Sequence, residues 1–162
     1  MLFTKTKSLL ALLTLSFSVS GVHAFCYGEA SAMYRVDERL LRSIAWVESA
    51  GRVDAININL NGTRDVGLMQ INSSHFKELS KYAISEKDLH DPCVNIKVGA
   101  WILANSIKKH GNTWRAVGAY NAGASNDEFN RKVYAAKIRS AMNEGAGTTK
   151  FQDLSTTMVI LR

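Results

Sequence analysis

The sequence has a single proline among 162 residues and contains no internal repeats or low-complexity tracts. With 46% apolar and 21% charged residues, it has the composition of one globular domain that can bury a core. It also lacks any apolar run that approaches the roughly 20 residues needed to cross a bilayer. These absences predict a single domain with no transmembrane helix.

The first 24 residues differ from the rest. Lys5 and Lys7 precede an apolar run over residues 9–15, and residues 22–24 (Val-His-Ala) are of the kind that a signal peptidase recognises. A retained membrane anchor is the alternative, but the run is too short to span a bilayer. We therefore expect residues 1–24 to be a cleaved export signal and the mature protein to lie in the periplasm.

Only two cysteines are present, Cys26 just after the expected cleavage site and Cys93 in mid-chain. Two unrelated buried thiols are one interpretation; export to an oxidising compartment favours a disulfide between them. Zinc normally needs about three or four protein ligands, and His75, His90 and His110 are scattered, as surface or capping groups would be. No metal or other cofactor is expected.

The formal net charge of +6 falls to +4 once Lys5 and Lys7 are removed with the signal. A basic exported protein is attracted to polyanions, and cell-wall polymers are polyanions. Nucleic acid is the competing partner, but export and the absence of a recognisable nucleic-acid motif argue against it. We therefore expect no nucleic-acid partner.

Apolar residues recur at helical spacing along most of the mature chain, without sustained alternation. Asp37 and Asp91 are predicted N-caps, Pro92 suits a first helical position, and Gly51 and Gly111 are expected to end helices. Helices are predicted at residues 29–36, 37–49, 73–82, 91–111, 112–120 and 126–143. The predicted fold class is therefore mainly α, and α+β at most.

Strand is plausible only over residues 54–66, as a small hairpin around Asn61-Gly62. The last helix is expected to face the core with Phe129, Val133, Tyr134, Ile138 and Met142. Residues 145–162 have the composition of a flexible tail, with a docking segment for a partner as the alternative.

Glu48 is the carboxylate of most interest, because it ends an apolar helical stripe and follows Trp46 and Val47. Apolar surroundings disfavour the charged form, so such a carboxyl stays protonated near neutral pH and can donate a proton to a glycosidic oxygen. On this local pattern alone, an ordinary solvated glutamate at a helix end is the better interpretation. The downstream sequence reverses that preference.

Three blocks occur in order: Trp46-Val47-Glu48-Ser49, Gly67-Leu68-Met69-Gln70-Ile71-Asn72 and Ala119-Tyr120-Asn121-Ala122-Gly123. Together they resemble the signature of the lysozyme-like lytic transglycosylases, over roughly residues 25 to 140. The resemblance implies a lysozyme-like domain at residues 25–144 and an enzyme that cuts the glycan strands of peptidoglycan, with Glu48 as catalytic acid and base.

The same resemblance implies a sugar-binding groove formed by Ser49, Gly67, Met69, Gln70, Asn72, Tyr120, Asn121 and Tyr134. Gly67 would let the backbone approach a sugar closely, and the amides of Gln70 and Asn72 would hydrogen-bond an N-acetylated ring. Tyr120 would orient the carboxyl of Glu48. Tyr134 matches a further family aromatic, although one tyrosine at helical spacing is usually a core residue.

Asp65 departs from the family pattern, because many lytic transglycosylases lack a second carboxylate at this place. With Glu48 alone, the family route is substrate-assisted cleavage of the β-1,4 bond between N-acetylmuramic acid and N-acetylglucosamine, with a 1,6-anhydro product. With Asp65 about 5–5.5 Å away, a lysozyme-type retaining hydrolysis is the alternative. Asp65 is equally well interpreted as a turn residue, since Asn-Gly-Thr-Arg-Asp is typical of turns.

The small size and the cysteine pair resemble the specialised members of this family that accompany type III or type IV secretion and conjugation machines. The resemblance therefore implies a monomer that opens the wall locally for an envelope-spanning assembly. A peptidoglycan-binding assembly protein without turnover is the alternative from another class.

Overall fold

The computed structural model describes residues 25–122 and 127–145. This part of the chain contains α1 (Tyr27–Tyr34), α2 (Glu38–Ser49), β1 (Ile56–Ile58), β2 (Arg64–Val66), β3 (Ile71–Asn72), α3 (Phe76–Leu79), α4 (Pro92–His110), α5 (Trp114–Ala122) and α6 (Glu128–Asn143). Short 3-10 turns lie at Ser73–His75, Ser80–Tyr82 and Lys87–His90. The mainly α fold class is confirmed. The predicted signal and all of the predicted tail except Gly145 lie outside the described residues.

The ends of the first two helices differ in part from the prediction. The N-cap of α2 is Asp37, as expected, and its side chain accepts the N–H of Arg39 at 2.8 Å. Both helices end at left-handed residues that are not glycine: Arg35 (φ 55°) after α1 and Ala50 (φ 53°) after α2. Each donates its N–H to a carbonyl of the last turn. The predicted end of α1 at residue 36 lies two residues too late, whereas α2 ends at Ser49 as predicted, with Ala50 rather than Gly51 as its cap.

The predicted hairpin is present and belongs to a three-stranded antiparallel sheet with the order β1-β2-β3. Asn57 lies opposite Asp65, and Asp65 lies opposite Asn72. The third strand was not predicted, because two residues are too few to show alternation. This register puts the Asp65 side chain between amide side chains of both neighbouring strands.

Helix α4 runs through the middle of the domain and packs against α1 and α5. Asp91 caps it by accepting the N–H of Val94 at 2.9 Å, Pro92 is its first residue, and Gly111 (φ 76°) follows its end, all as predicted. The predicted disulfide between Cys26 and Cys93 is confirmed, with 5.1 Å between the Cα atoms. It ties the start of α1 to the first turn of α4.

The buried face of α6 differs from the prediction. Tyr134 and Ile138 are buried, but the side chains of Phe129 and Val133 are exposed. Arg131 and Ala135 lie on the buried stripe instead. The reason is close packing on α5, where a Cβ atom on Gly118 would lie 2.4 Å from the carbonyl oxygen of Arg131. None of the helices in the described ranges is long and apolar enough to cross a membrane.

Candidate active site

A cleft of about 700 Å³ contains Glu48 at one side. Most of its polar wall is uncharged and comes from amide and hydroxyl side chains, which suits a neutral polar ligand such as a sugar chain. Its lining residues are Glu48, Asn59, Leu60, Asn61, Thr63, Asp65, Gln70, Asn72, Ser74, His75, Ile102, Tyr120, Asn121 and Ala122. The cleft thus brings together many of the residues predicted from the three sequence blocks.

Glu48 lies on the last turn of α2. The pKa of its carboxyl is raised to about 7, mainly by burial and to a smaller extent by the nearby negative charge of Asp65. The hydrogen bond from Tyr134 and the positive charge of Lys137 act in the opposite direction. The carboxyl therefore exchanges a proton near neutral pH, as a group that acts first as acid and then as base must do.

The hydrogen bond to the Glu48 carboxyl comes from a different tyrosine than the sequence suggested. The hydroxyl of Tyr134 on α6 donates to Oε1 of Glu48 at 2.5 Å. The hydroxyl of Tyr120, which was expected to orient this carboxyl, instead donates to the carbonyl oxygen of Met69 at 2.8 Å. Burial, and then the charge of Glu48, raise the pKa of both tyrosines, so both hydroxyls remain protonated donors.

Asp65 faces the same cleft and is held by two amides. Asn72 donates from Nδ2 to Oδ1 at 2.7 Å, and Asn59 donates from Nδ2 to Oδ2 at 2.9 Å. Hydrogen bonds to both oxygens stabilise a carboxylate and fix its orientation. Asn59 was not predicted as a site residue; the alternation of isoleucine and asparagine over residues 56–59 is the signal that places it on the same face as Asn57.

Three residues predicted to contact substrate are internal. Ser49 is 2% exposed and donates its hydroxyl to the carbonyl of Leu68 at 2.8 Å. Met69 is fully buried, with its sulfur against Gly99. Gly67 (φ 78°) is also buried, and an added Cβ would lie 2.2 Å from Nδ2 of Asn95. These three residues therefore pack the second block, residues 67–72, against its neighbours. This corrects the expectation that their side chains contact a sugar.

The polar residues of the second block use most of their amide groups within the protein. Gln70 has a left-handed backbone (φ 51°) and donates from Nε2 to the carbonyl oxygens of Gly67 and Ala55 at 2.8 and 3.2 Å. Besides holding Asp65, Asn72 accepts the N–H of Ser74 at 2.9 Å. Both residues line the cleft, so they position its wall as well as offering contacts to a ligand.

Asn95 organises this block and was not predicted. It is fully buried on α4, accepts the N–H of Met69 at 2.7 Å and donates to the carbonyls of Val66 and Leu89 at 2.9 and 2.8 Å. The signal in the sequence is a lone asparagine beside Ile96 on the buried side of a helix, which must find partners there.

His75 was expected at the surface but lines the cleft and is half-buried. Burial lowers the pKa of its imidazole, and its ring meets Trp101 edge-on with 6.4 Å between centroids. His75 therefore presents a neutral aromatic ring to a ligand at pH 7. In residues 25–122 and 127–145, no group of three or more His, Cys, Asp or Glu is arranged to hold a metal ion.

The chain resembles known proteins over most of its described part. Residues 25–143 match the family model described as "Transglycosylase SLT domain". "Invasion protein IagB" of Salmonella typhimurium strain SL1344 is 48% identical over 123 residues, which cover 75% of this chain and 77% of that protein. "Protein IpgF" of Shigella flexneri is 41% identical over 103 residues, which cover 63% of this chain and 68% of that protein.

A solved structure has the same fold. Lytic transglycosylase Slt from Pseudomonas aeruginosa, determined as an inactive mutant, aligns with a TM-score of 0.59 and 23% identity over 83% of this chain. The alignment covers 24% of that longer chain, so the likeness concerns one domain of it and its fold. Taken with the match over residues 25–143, the site geometry leads to one assignment: this chain belongs to the transglycosylase SLT domain family and is an enzyme that cleaves glycosidic bonds of peptidoglycan.

Proposed function

We propose that this protein cleaves the β-1,4 bond between N-acetylmuramic acid and N-acetylglucosamine and releases a 1,6-anhydro product. The observation that carries the proposal is Glu48, a carboxyl with a pKa of about 7 in a cleft whose wall is mostly amides and hydroxyls. Tyr134 occupies Oε1 of this carboxyl, which leaves Oε2 to hold the proton that is transferred.

In the proposed reaction, Glu48 donates its proton to the glycosidic oxygen as the bond from that oxygen to C1 breaks. The N-acetyl oxygen of the muramic acid stabilises the positive charge that develops at C1. Glu48, now a carboxylate, takes the proton of the C6 hydroxyl, whose oxygen attacks C1 and closes the anhydro ring. One group with a pKa near neutrality can serve both steps.

A lysozyme-type hydrolysis is the second candidate, and Asp65 is the observation that favours it. This carboxylate lies close enough to Glu48 to raise its pKa, and two amides hold it in place. In a retaining hydrolase such a group attacks C1 or stabilises its charge while water completes the reaction. The two candidates use the same bound glycan and differ in what attacks C1 last.

The proposed setting is the periplasm, after removal of residues 1–24, and the proposed purpose is local opening of the wall during assembly of a secretion or conjugation machine. One relative is named an invasion protein, which supports a role beyond general wall turnover. A monomer that works at one place and binds no cofactor fits this role.

The deciding experiment is mass spectrometry of the fragments released from peptidoglycan by the mature protein and by its Glu48→Gln variant. We expect ends in 1,6-anhydromuramic acid from the wild type and none from the variant, which should still bind the wall. Reducing ends that carry one added water would replace the transglycosylase proposal with the hydrolase, and Asp65→Asn would then be expected to abolish activity.

A further inference from the structure

A second cavity, of about 520 Å³, lies between the start of α5 and the outer side of α6. Its lining includes Trp114, Arg115, Glu128, Arg131, Lys132 and Arg139, and we call it the basic cavity. It shares no lining residue with the glycan cleft, which the opposite end of α5 helps to form. The proposed reaction therefore makes no use of it.

The charges of the basic cavity do not balance. Glu128 is its one carboxylate and faces four cationic side chains. Arg115 donates to Oε1 of Glu128 from Nε and Nη2 at 3.0 and 2.7 Å, and the buried Arg131 donates from Nη1 at 3.0 Å. This arrangement shows that the guanidinium groups here can hold a carboxylate by more than one hydrogen bond.

Two cations of the basic cavity have no carboxylate partner in the described ranges, Lys132 and Arg139. The guanidinium of Arg139 lies over the ring of Trp114, 4.5 Å from its centroid, so its position is fixed by the ring. Trp114 is 36% exposed and, with Ala135 and Ala136, supplies an apolar wall. The basic cavity thus combines positive charge with apolar surface.

We propose that the basic cavity binds the carboxylates of peptidoglycan stem peptides and so provides a second contact with substrate. The inference rests on the proposed wall-cutting function. A stem peptide offers carboxylates to Lys132 and Arg139 and aliphatic side chains to Trp114. The glycan cleft would hold the uncharged sugars, while the basic cavity would select strands that still carry their peptides.

The test measures binding rather than cleavage, and it uses the mature protein, because a stem peptide has no glycosidic bond that the enzyme could cut. The probes are a synthetic stem tetrapeptide with free carboxylates and the same peptide with every carboxylate amidated, titrated by calorimetry. We expect Lys132→Ala/Arg139→Ala to weaken binding of the free peptide by at least about tenfold, as the loss of two charge contacts implies. The amidated peptide should bind all variants weakly.

The matched control is Lys77→Ala/Lys87→Ala, which removes the same charge from exposed positions outside the basic cavity. It should change binding less than twofold, and thermal unfolding should show both double variants folded. Equal loss in the two double variants would overturn the proposal in favour of non-specific attraction. Tight binding of inorganic phosphate or of phosphatidylglycerol vesicles, without binding of the peptide, would overturn it in favour of a phosphate site.

Failure of this inference is distinguishable from failure of the proposed function. If peptide binding does not depend on Lys132 and Arg139 while the product test gives anhydro ends, only the proposal that the basic cavity binds stem peptides is refuted. If peptide binding depends on both residues but no glycan is cleaved, the peptide site in the basic cavity is supported and the proposed reaction is refuted.

Discussion

The Glu48 carboxyl is held in its neutral form by burial, and this has a cost in stability at alkaline pH. An ordinary glutamate ionises near pH 4.5, whereas this one has a pKa of about 7 in the folded protein. Below the lower value both folded and unfolded chains bind the proton. Between pH 4.5 and pH 7 the unfolded chain releases the proton while the folded chain keeps it, so the free energy of unfolding falls across this range by about 3 kcal/mol. Above pH 7 both states are ionised and the loss is complete.

We therefore expect Glu48→Gln to stabilise the protein increasingly as pH rises. The free energy of unfolding of wild type should fall relative to that of the variant by about 3 kcal/mol between pH 4.5 and pH 8. Urea unfolding of both proteins at the two pH values measures this. The exposed Glu144→Gln serves as control, and an equal pH dependence in wild type and Glu48→Gln would contradict the burial of this carboxyl.

The second prediction at this scale concerns the Tyr134 hydroxyl, which lowers the pKa of Glu48 by donating to it. In Tyr134→Phe the Glu48 pKa should rise, so the alkaline limb of the kcat/KM profile should move to higher pH. The value of kcat should fall by roughly 10- to 100-fold, because the acid loses its orientation. A pH–rate series checks both effects.

The comparison variant is Tyr120→Phe, which removes a hydrogen bond to the Met69 backbone rather than to Glu48. It should lower the rate without the same displacement of the alkaline limb. If Tyr120→Phe moved the limb and Tyr134→Phe did not, the assignment of the two tyrosines would be reversed.

The sequence predicts which residue types meet in the cleft better than which atoms they contact. Glu48 could be selected because its block, taken with the two blocks downstream, is specific. Asp65 lies outside the three blocks, and the sequence favoured a second carboxylate and a turn residue equally. That Tyr134 rather than Tyr120 donates to Glu48 could not be foreseen, since it depends on how α6 rotates against α5. That rotation is set where Gly118 admits the backbone of Arg131, a contact that helical spacing does not encode.

At the scale of elements, the loop from β2 to β3 is fixed from outside by α4. Asn95 satisfies the N–H of Met69 and the carbonyls of Val66 and Leu89, and Gly67 leaves room for it. The same loop offers the Met69 carbonyl to Tyr120. One buried amide thereby connects a core helix with a wall of the cleft.

We expect Asn95→Ala to lower the free energy of unfolding by at least about 3 kcal/mol, because three buried backbone groups lose their partners. Activity should fall as well in the fraction that remains folded. The matched control is Asn105→Ala, an exposed asparagine on the same helix, which should change stability by less than about 0.5 kcal/mol. Chemical denaturation of the two variants measures these changes in the free energy of unfolding. A small change in Asn95→Ala would contradict the prediction and show that water replaces the amide.

Elements with strong end signals could be predicted, and those defined by contacts could not. Asp37, Asp91 and Pro92 mark helix starts whatever the rest of the chain does. The strand β3 has only two residues and is defined by its pairing with β2, so its sequence shows no alternation of apolar and polar residues. On α6, apolar character suggested burial of Phe129, but this residue lies in the first turn, where its side chain is 74% exposed.

At the scale of the whole molecule, the disulfide closes the chain over a sequence separation of 67 residues. It ties α1 to α4, and neither cysteine lines the glycan cleft. A bridge of this kind restricts the unfolded chain more than it shapes the folded one. Its contribution should therefore appear in stability rather than in chemistry.

Replacing both cysteines in Cys26→Ser/Cys93→Ser, which leaves no lone thiol, should lower the free energy of unfolding by about 2–4 kcal/mol. Glycan cleavage at 25 °C should be retained, since Glu48 and its partners lie on other elements. The loss of stability is measured by denaturant unfolding of the variant and of wild type, the latter with and without reductant. Reduced wild type should have the same free energy of unfolding as the variant. Loss of cleavage in a folded variant would mean that the bridge also positions α4, and through Asn95 the wall of the cleft.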